Sequence, residues 1–281
     1  MQYFKILPFY AFNFLFKNVI CSFVMNTSHA VILGVIQGLT EFLPISSSGH
    51  LVIFQKLLGL KSEKEILFDC SLHIGTLIAV CIYFKKEIKD IVNSVLQFNK
   101  EKYEFKIFLN IIIGSIPTAI IGLVFRDLFE KTFASAYWTG IMLCITGILL
   151  GITRFFKNNT REIRPIYSLL IGIAQGIAII PGISRSGATI SCALMCGLKK
   201  KAAFEFSFLL SIPAIGGAFL LEVVKVKQII NIFPILLGTF LSAIVGLIAL
   251  KILDKVVTKG DLYYFSPYCI TAGIITIIYF K

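Results

Sequence analysis

Two polar clusters, 138 positions apart, carry the residue types that could do chemistry in this chain. One reads QGLTEFLPISSSGH from Gln37, and the other reads QGIAIIPGISRSGAT from Gln175. Both lie in apolar surroundings, where hydroxyls, a carboxylate, an imidazole and a guanidinium are costly unless they face a cavity or one another. The repeated clusters therefore predict a functional site.

The first cluster combines an acid with a hydroxyl-rich turn. Gln37 and Glu41 are four residues apart, so a helix places them on one face, directed into the same cavity as the turn that ends at His50. The turn contributes Ser46, Ser47, Ser48 and Gly49. Its serines could equally cap a broken helix. Capping requires neither the carboxylate nor the imidazole, so those two groups predict chemistry.

The second cluster contributes a cation. Under the same shift Arg185 corresponds to Ser47, and its guanidinium could grip a phosphate bidentately beside freed helix N–H groups. A structural ion pair with Glu41 is the alternative, and both interpretations hold if the pair opens for substrate. The accompanying candidates for phosphate binding are Ser184, Ser186, Thr189 and the two glycines, Gly49 and Gly187, where a tight turn or a close phosphate excludes a side chain.

The elements that must position these clusters lie in a membrane. Apolar residues make up 57% of the 281 positions and charged residues only 15%, well below the share in soluble domains. The net charge of +12 comes from short basic blocks between apolar runs, as the positive-inside rule predicts, and such blocks also attract lipid headgroups. This pattern argues against nucleic-acid binding.

The hydropathy pattern predicts an all-α polytopic membrane protein. Six runs are long enough to cross a bilayer: 66–84, 107–125, 135–153, 203–222, 230–250 and 262–280. The segments 29–43 with 51–60, and 166–180 with 189–198, are too short and read as two re-entrant half-helix pairs. Irregular backbone at such depth requires protein or a watery cavity around it.

Charge counts orient these elements. The basic loops 85–106 and 154–164 are expected in the cytoplasm, so the first hairpin inserts from outside and the second from inside. The sequence thus predicts an inverted-topology repeat with halves 25–153 and 154–281 in a single domain. Residues 1–24 are an apolar extension of undecided status.

The quoted motifs, QGLTEFLPISSSGH at 37–50 and PGISRSGAT at 181–189, resemble the signatures of bacterial undecaprenyl-pyrophosphate phosphatases of the bacitracin-resistance type. The resemblance implies hydrolysis of a polyprenyl diphosphate lipid to the monophosphate at the outer face of the cytoplasmic (inner) membrane, which recycles the carrier for cell-wall synthesis. It also implies dependence on a divalent cation, Mg²⁺ or Ca²⁺. Bacitracin would compete only indirectly, by sequestering the substrate.

Carried over by position, the resemblance assigns roles to individual residues. Glu41 would bind the metal, together with Gln37, or orient a catalytic group. The family has Glu or Gln at position 37, so this site carries one carboxylate fewer than that of Glu-bearing relatives. Ser47 would be the nucleophile activated by His50, or His50 itself would attack. Arg185 would hold the diphosphate, with Ser184 and Thr189.

A transporter or flippase of a polyprenyl-phosphate lipid is the main alternative, because inverted repeats with broken helices are typical of transporters. A structural scaffold would leave the polar loops without a purpose. The sequence leaves the oligomeric state open, a homodimer included.

Overall fold

The computed structural model describes residues 26–60, 66–133, 135–156, 160–224, 232–259 and 262–281. Every regular element in these ranges is helical. The extension 1–24 lies outside the described residues. In chain order the helices are α1 Thr27–Phe42, α2 Ser47–Leu57, α3 Ile66–Tyr83, α4 Lys85–Leu96, α5 Tyr103–Val124, α6 Arg126–Phe133, α7 Ala136–Ile152, α8 Pro165–Ile177, α9 Arg185–Met195, α10 Lys200–Val223, α11 Ile232–Lys259 and α12 Ser266–Tyr279.

The apolar runs form the expected spans. Within the described ranges, five segments built on α5, α7, α10, α11 and α12 are long and apolar enough to cross a membrane, and the bent pair α3–α4 brings the number to six. The fold class is therefore confirmed as a polytopic, all-helical membrane protein.

In each half-helix pair, the first helix ends shortly before the proline that interrupts its apolar run. Helix α1 ends at Phe42 because Leu43, which precedes Pro44, is extended at φ −60° and ψ 143°. Helix α8 ends at Ile177, four residues before Pro181. The predicted half-helices are present as α1 with α2 and α8 with α9.

One predicted loop is partly helical. The stretch 85–106 was expected to be a basic loop, but Lys85–Leu96 forms α4, bent by 76° from the end of α3. Ile88 and Ile91, three residues apart, pack against the core while the lysines at its start are exposed, so α4 is amphipathic. A near-perpendicular amphipathic helix at the end of a span fits the plane of a membrane surface.

The two halves of the chain pack reciprocally. Helix α11 lies along α1, and α5 lies along α8, while α7 pairs with α12. The close approaches depend on glycines 138 positions apart: a Cβ on Gly34 would lie 2.7 Å from the Gly238 carbonyl, and one on Gly172 would collide with the Gly114 carbonyl. The insertion of the two hairpins from opposite sides stays a prediction.

The basic segments come together at one end of the bundle. A cavity there is lined by Glu87 and Tyr103 from the first segment, Ile163 from the second, and Ala202 from the start of α10. Beside this cavity the segment before α8 is joined to the turn after α9 by a hydrogen bond from the Arg161 amide to the Gly197 carbonyl, at 2.9 Å. If the basic segments all lie on one side of the membrane, they must be close together in this way.

Candidate active site

The two repeated loops are in direct contact. The hydroxyl oxygen of Ser46 accepts a hydrogen bond from the Gly182 amide at 3.1 Å, and the hydroxyl of Ser186 donates to the Leu43 carbonyl at 3.3 Å. These bonds satisfy backbone groups of irregular chain at membrane depth, where water cannot do so. The sequence prediction that both loops share one place is confirmed.

Several serines cap the half-helices. Ser46 accepts from the Gly49 amide at 3.2 Å, and Ser184 accepts from the Gly187 amide at 3.1 Å, so each is the N-cap of its helix. Ser48 lies 3.4 Å from the Ser46 oxygen, and Ser186 lies 3.2 Å from that of Ser184. The capping interpretation therefore holds for Ser46 and Ser184.

The backbone at the first cap is strained. Ser46 has φ 69°, a region that residues other than glycine seldom occupy. The side chain that caps α2 also bonds the second loop, so the contacts of the site hold this conformation in place. Strain of this kind concentrates where a site must keep a fixed geometry.

The glycines of the motifs permit loop contact. A Cβ on Gly49 would stand 3.0 Å from Gly182 Cα, and one on Gly187 would stand 3.0 Å from Ser184 Cβ. Gly182 itself has φ +99°, and a Cβ there would press on the carbonyl of Thr139. At Gly49 the neighbour that excludes a side chain is the second loop, and a phosphate close to Gly49 or Gly187 stays a prediction.

Glu41 is the centre of the polar network. Its Oε2 accepts hydrogen bonds from the Ser47 hydroxyl and from Gln37 Nε2, the latter at 2.9 Å. Its Oε1 receives Arg185 Nη2 at 2.6 Å, and His73 Nε2 lies 3.5 Å from Oε2. With only 4% of its side chain exposed, the carboxylate depends on these partners for its charge.

Arg185 forms the ion pair that the sequence left open, and it keeps a second donor. The guanidinium carbon lies 5.7 Å from the centre of the Phe208 ring, and 15% of the side chain is exposed. Nη2 binds Glu41, whereas the buried Nη1 has no hydrogen-bond partner in the described part of the chain. A buried donor of this type is available to an acceptor such as a ligand oxygen.

His50 is held away from the role expected of it. Nδ1 lies 2.7 Å from the Ser46 carbonyl and Nε2 lies 2.8 Å from the Tyr268 hydroxyl. The Ser47 hydroxyl bonds Glu41 instead. The expectation that His50 activates Ser47 is therefore wrong for this geometry, because both ring nitrogens have other partners and the Ser47 hydroxyl donates its hydrogen bond to Glu41.

Thr189 supports the backbone of the second cluster. Its hydroxyl donates to the Arg185 carbonyl at 2.8 Å and pairs with the Ser207 hydroxyl at 2.5 Å. The side chain is fully buried. These contacts place it behind Arg185 instead of beside Glu41, so it steadies the guanidinium's helix.

The second half lacks the acidic part of the network. Gln175, the counterpart of Gln37, donates to the Thr118 hydroxyl at 3.2 Å, and the position that corresponds to Glu41 is Ile179. Only the first half of the sequence therefore carries a carboxylate at this position of the motif. The acid comes from one half and the cation from the other.

The residues do not fit a metal held by protein ligands alone. No group of three or more His, Cys, Asp or Glu side chains suited to a metal occurs among the described residues. Glu41 already binds Arg185, and although the buried Gln37 Oε1 has no partner in the described part of the chain, one amide oxygen does not complete a site. The ligand set of Glu41 with Gln37 remains a prediction.

Sequence reasoning missed Tyr268 and assigned no role to His73. Tyr268 follows the last motif by about 80 positions and belongs to a span, so no local spacing signals its contact with His50. His73 is four residues after Asp69, and its Nδ1 donates a hydrogen bond to the Asp69 carbonyl at 2.8 Å. An intramembrane histidine is itself a signal for function.

Comparison with known proteins gives one consistent result. Residues 30–275 match the family model described as bacitracin resistance protein BacA. The chain is 44% identical over 261 residues to the undecaprenyl-diphosphatase of Halothermothrix orenii. The matched region covers 90% of this chain and 98% of that relative. The proteins of the same name from Desulforapulum autotrophicum and Korarchaeum cryptofilum are 43% and 42% identical, covering 90% and 89% of this chain and 98% of each relative.

Proposed function

This chain belongs to the bacitracin resistance protein BacA family, and we propose that it hydrolyses undecaprenyl diphosphate to undecaprenyl phosphate and inorganic phosphate. It is a membrane-embedded phosphatase, as its relatives' shared name indicates. The product is the lipid carrier in the form that cell-wall synthesis reuses, and bacitracin resistance is associated with the family. Bacitracin competes indirectly, since it sequesters the substrate and not the enzyme.

One observation carries this function: Arg185 presents a buried donor, Nη1, with no partner among the described residues. Its other arm is bound to Glu41 at 2.6 Å. A guanidinium is a planar fork that suits phosphate oxygens. A phosphoryl oxygen of the substrate would complete the hydrogen bonding of Arg185 without displacing it from Phe208.

The contact between Ser47 and Glu41 supplies an activated nucleophile. A serine hydroxyl is unreactive at neutral pH until a base takes its proton. In the proposed step Ser47 Oγ attacks the terminal phosphorus and its proton passes to Glu41. The bond from that phosphorus to the bridging oxygen breaks, and undecaprenyl phosphate leaves with the bridging oxygen and the bonding electron pair. Water then hydrolyses the phosphoserine and releases inorganic phosphate.

The substrate would also prepare this base. The ion pair with Arg185 stabilises the buried Glu41 as an anion. When the guanidinium shifts toward a phosphate, the carboxylate loses part of that stabilisation at the moment Ser47 must be deprotonated. One guanidinium therefore grips the phosphate through Nη1 while Nη2 keeps a weakened bond to Glu41.

We place the protein in the bacterial cytoplasmic membrane with the site open to the outer face. Support comes from the basic segments gathered at the opposite end, which the positive-inside rule assigns to the cytoplasm. His73 is 27% exposed on its side chain and lies seven residues, about 10 Å of helix, from the outer start of α3. The inverted-topology repeat follows from the same assignment.

The direct test is phosphate release by the purified full chain in detergent from undecaprenyl diphosphate. We expect stoichiometric inorganic phosphate and undecaprenyl phosphate, with turnover that saturates with lipid. The same protein reconstituted in lipid vesicles distinguishes hydrolysis from transport of the lipid. Movement of the lipid across the bilayer with no phosphate released would contradict the proposed function and favour a flippase.

We propose that the divalent cation, Mg²⁺ or Ca²⁺, enters with the substrate's diphosphate, since Mg²⁺ commonly binds one or two carboxylates together with substrate phosphates. Paramagnetic Mn²⁺ provides a readout other than activity. In the electron paramagnetic resonance spectrum, Mn²⁺ added to the substrate-free protein should give the signal of the free ion. When inorganic diphosphate is added with the protein, the signal should become that of immobilised Mn²⁺. Stoichiometric Mn²⁺ binding without diphosphate would contradict this proposal, and full activity in excess chelator would contradict cation dependence itself.

A further inference from the structure

The imidazole of His50 is held by a residue from the last helix, 218 positions later in the chain. Tyr268 brings its hydroxyl to 2.8 Å from His50 Nε2. The two rings are stacked, with centres 5.9 Å apart and planes 7° from parallel. Tyr268 is 47% exposed, so the ring covers the imidazole from the outside while the hydroxyl reaches inward.

The partners of His50 define its tautomer. A backbone carbonyl can only accept, so Nδ1, at 2.7 Å from the Ser46 carbonyl, carries the proton of the neutral ring. Nε2 is then the acceptor, and Tyr268 is its donor. Since the Nδ1 bond belongs to the first turn of α2, Nε2 is the nitrogen free to exchange its partner for a substrate oxygen or a proton.

The position of Tyr268 is fixed by the packing of α12 on α7. Gly140 and Gly147 of α7 allow this approach: a Cβ on Gly140 would lie 2.9 Å from the Gly273 carbonyl, and one on Gly147 would lie 2.6 Å from Ile270 Cγ1. The neighbouring residue, Cys269, donates from its thiol to the Pro44 carbonyl at 3.6 Å. The start of α12 is therefore docked onto the first loop at two consecutive residues.

We propose that Tyr268 is a positioning residue for His50: its hydroxyl binds Nε2 and so fixes the direction of the imidazole, whose tautomer the Ser46 carbonyl sets, and its ring prevents the imidazole from turning out of the site. The assignment rests on the proposed hydrolysis, in which Ser47 attacks with Glu41 as its base and His50 Nε2 exchanges its partner for a substrate oxygen or a proton. The second half of the chain thus completes the site of the first half with a residue outside both motifs.

The kinetic test compares Tyr268→Phe with Tyr279→Phe. The first change keeps the stacked ring and removes only the hydroxyl; the second removes a hydroxyl from the same helix on a side chain that is 68% exposed. We expect kcat for Tyr268→Phe to fall about 10- to 100-fold, the usual cost of losing a partner that orients a histidine, with KM within about twofold. An unchanged kcat would overturn the assignment, and thermal unfolding in detergent verifies that both variants are folded.

A spectroscopic test is independent of activity. The chain contains 3 histidines, so ¹⁵N-histidine labelling yields three imidazoles, and His50→Gln identifies the signal of interest. We expect the unprotonated nitrogen of His50 to move downfield in Tyr268→Phe and to stay in place in Tyr279→Phe. An unmoved signal in Tyr268→Phe would overturn the proposal, whereas failure of the proposed function would appear as an inactive wild type with this shift still present.

Discussion

Replacing Ser47 with alanine should reduce the turnover of undecaprenyl diphosphate by at least about 10³-fold, because loss of a covalent nucleophile leaves only binding and charge stabilisation. The Ser47 hydroxyl donates to Glu41 Oε2 and is the hydroxyl of the motif bound to a carboxylate in the described structure. The measurement is phosphate release at saturating lipid, with KM determined alongside. Since Ser47 is the first residue of α2 and Ser46 provides the cap, the fold should survive the change.

Ser71→Ala is the matched control for this variant. Ser71 is also a buried intramembrane serine, and its hydroxyl bonds the Leu67 carbonyl of its own helix at 2.8 Å. Turnover by the control should remain near that of the wild type. Trapping with labelled substrate separates the two candidate nucleophiles: acid-stable label on Ser47 supports the proposed step, and acid-labile label on His50 in an active Ser47→Ala enzyme would contradict it.

The spans and their breaks could be predicted because they depend on local sequence. Apolar length gives the spans, and Pro44 and Pro181 interrupt the apolar runs that are too short to cross. The meeting of the two loops was also predictable, because polar groups in lipid must find cavities or partners and only two such clusters repeat. Helix α4 was missed, although Ile88 and Ile91 show helical spacing, because its lysines identify the segment as a loop by composition.

The partners of Ser47 and His50 could not be predicted, in contrast to the ion pair between Arg185 and Glu41, which was one of two interpretations of the sequence. His50 and Ser47 are three residues apart, and that spacing favours their contact on one helix, yet the turn before α2 directs His50 to the Ser46 carbonyl and leaves Ser47 facing Glu41. Tyr268 reaches the site only because of how α12 packs on α7. Contacts of this kind depend on the relative placement of helices, which periodicity and hydropathy do not specify.

Arg185→Lys should lower kcat/KM by about 10²- to 10³-fold, the range for removing one preorganised donor to a transition-state oxyanion. In the structure one arm of Arg185 holds Glu41 at 2.6 Å while the other, Nη1, is unsatisfied among the described residues. A lysine ammonium is a single point of charge and cannot serve the carboxylate and a phosphate with the same planar geometry. Kinetics with undecaprenyl diphosphate measure the effect.

Lysine is a cleaner substitution here than alanine, because it keeps a cation beside a carboxylate whose side chain is 4% exposed. Arg185→Ala would leave that charge uncompensated, and breaking a buried pair in this way costs about 3–5 kcal/mol of stability, so lost activity would be confounded with unfolding. Arg126→Lys is the matched control, since Arg126 also pairs with a carboxylate, Glu222 at 2.8 Å, at the far end of α10. If Arg185→Lys and Arg126→Lys both retain wild-type kcat/KM, the guanidinium of Arg185 serves only the ion pair, and the phosphate must be held by the helix N-termini and serines of the two loops.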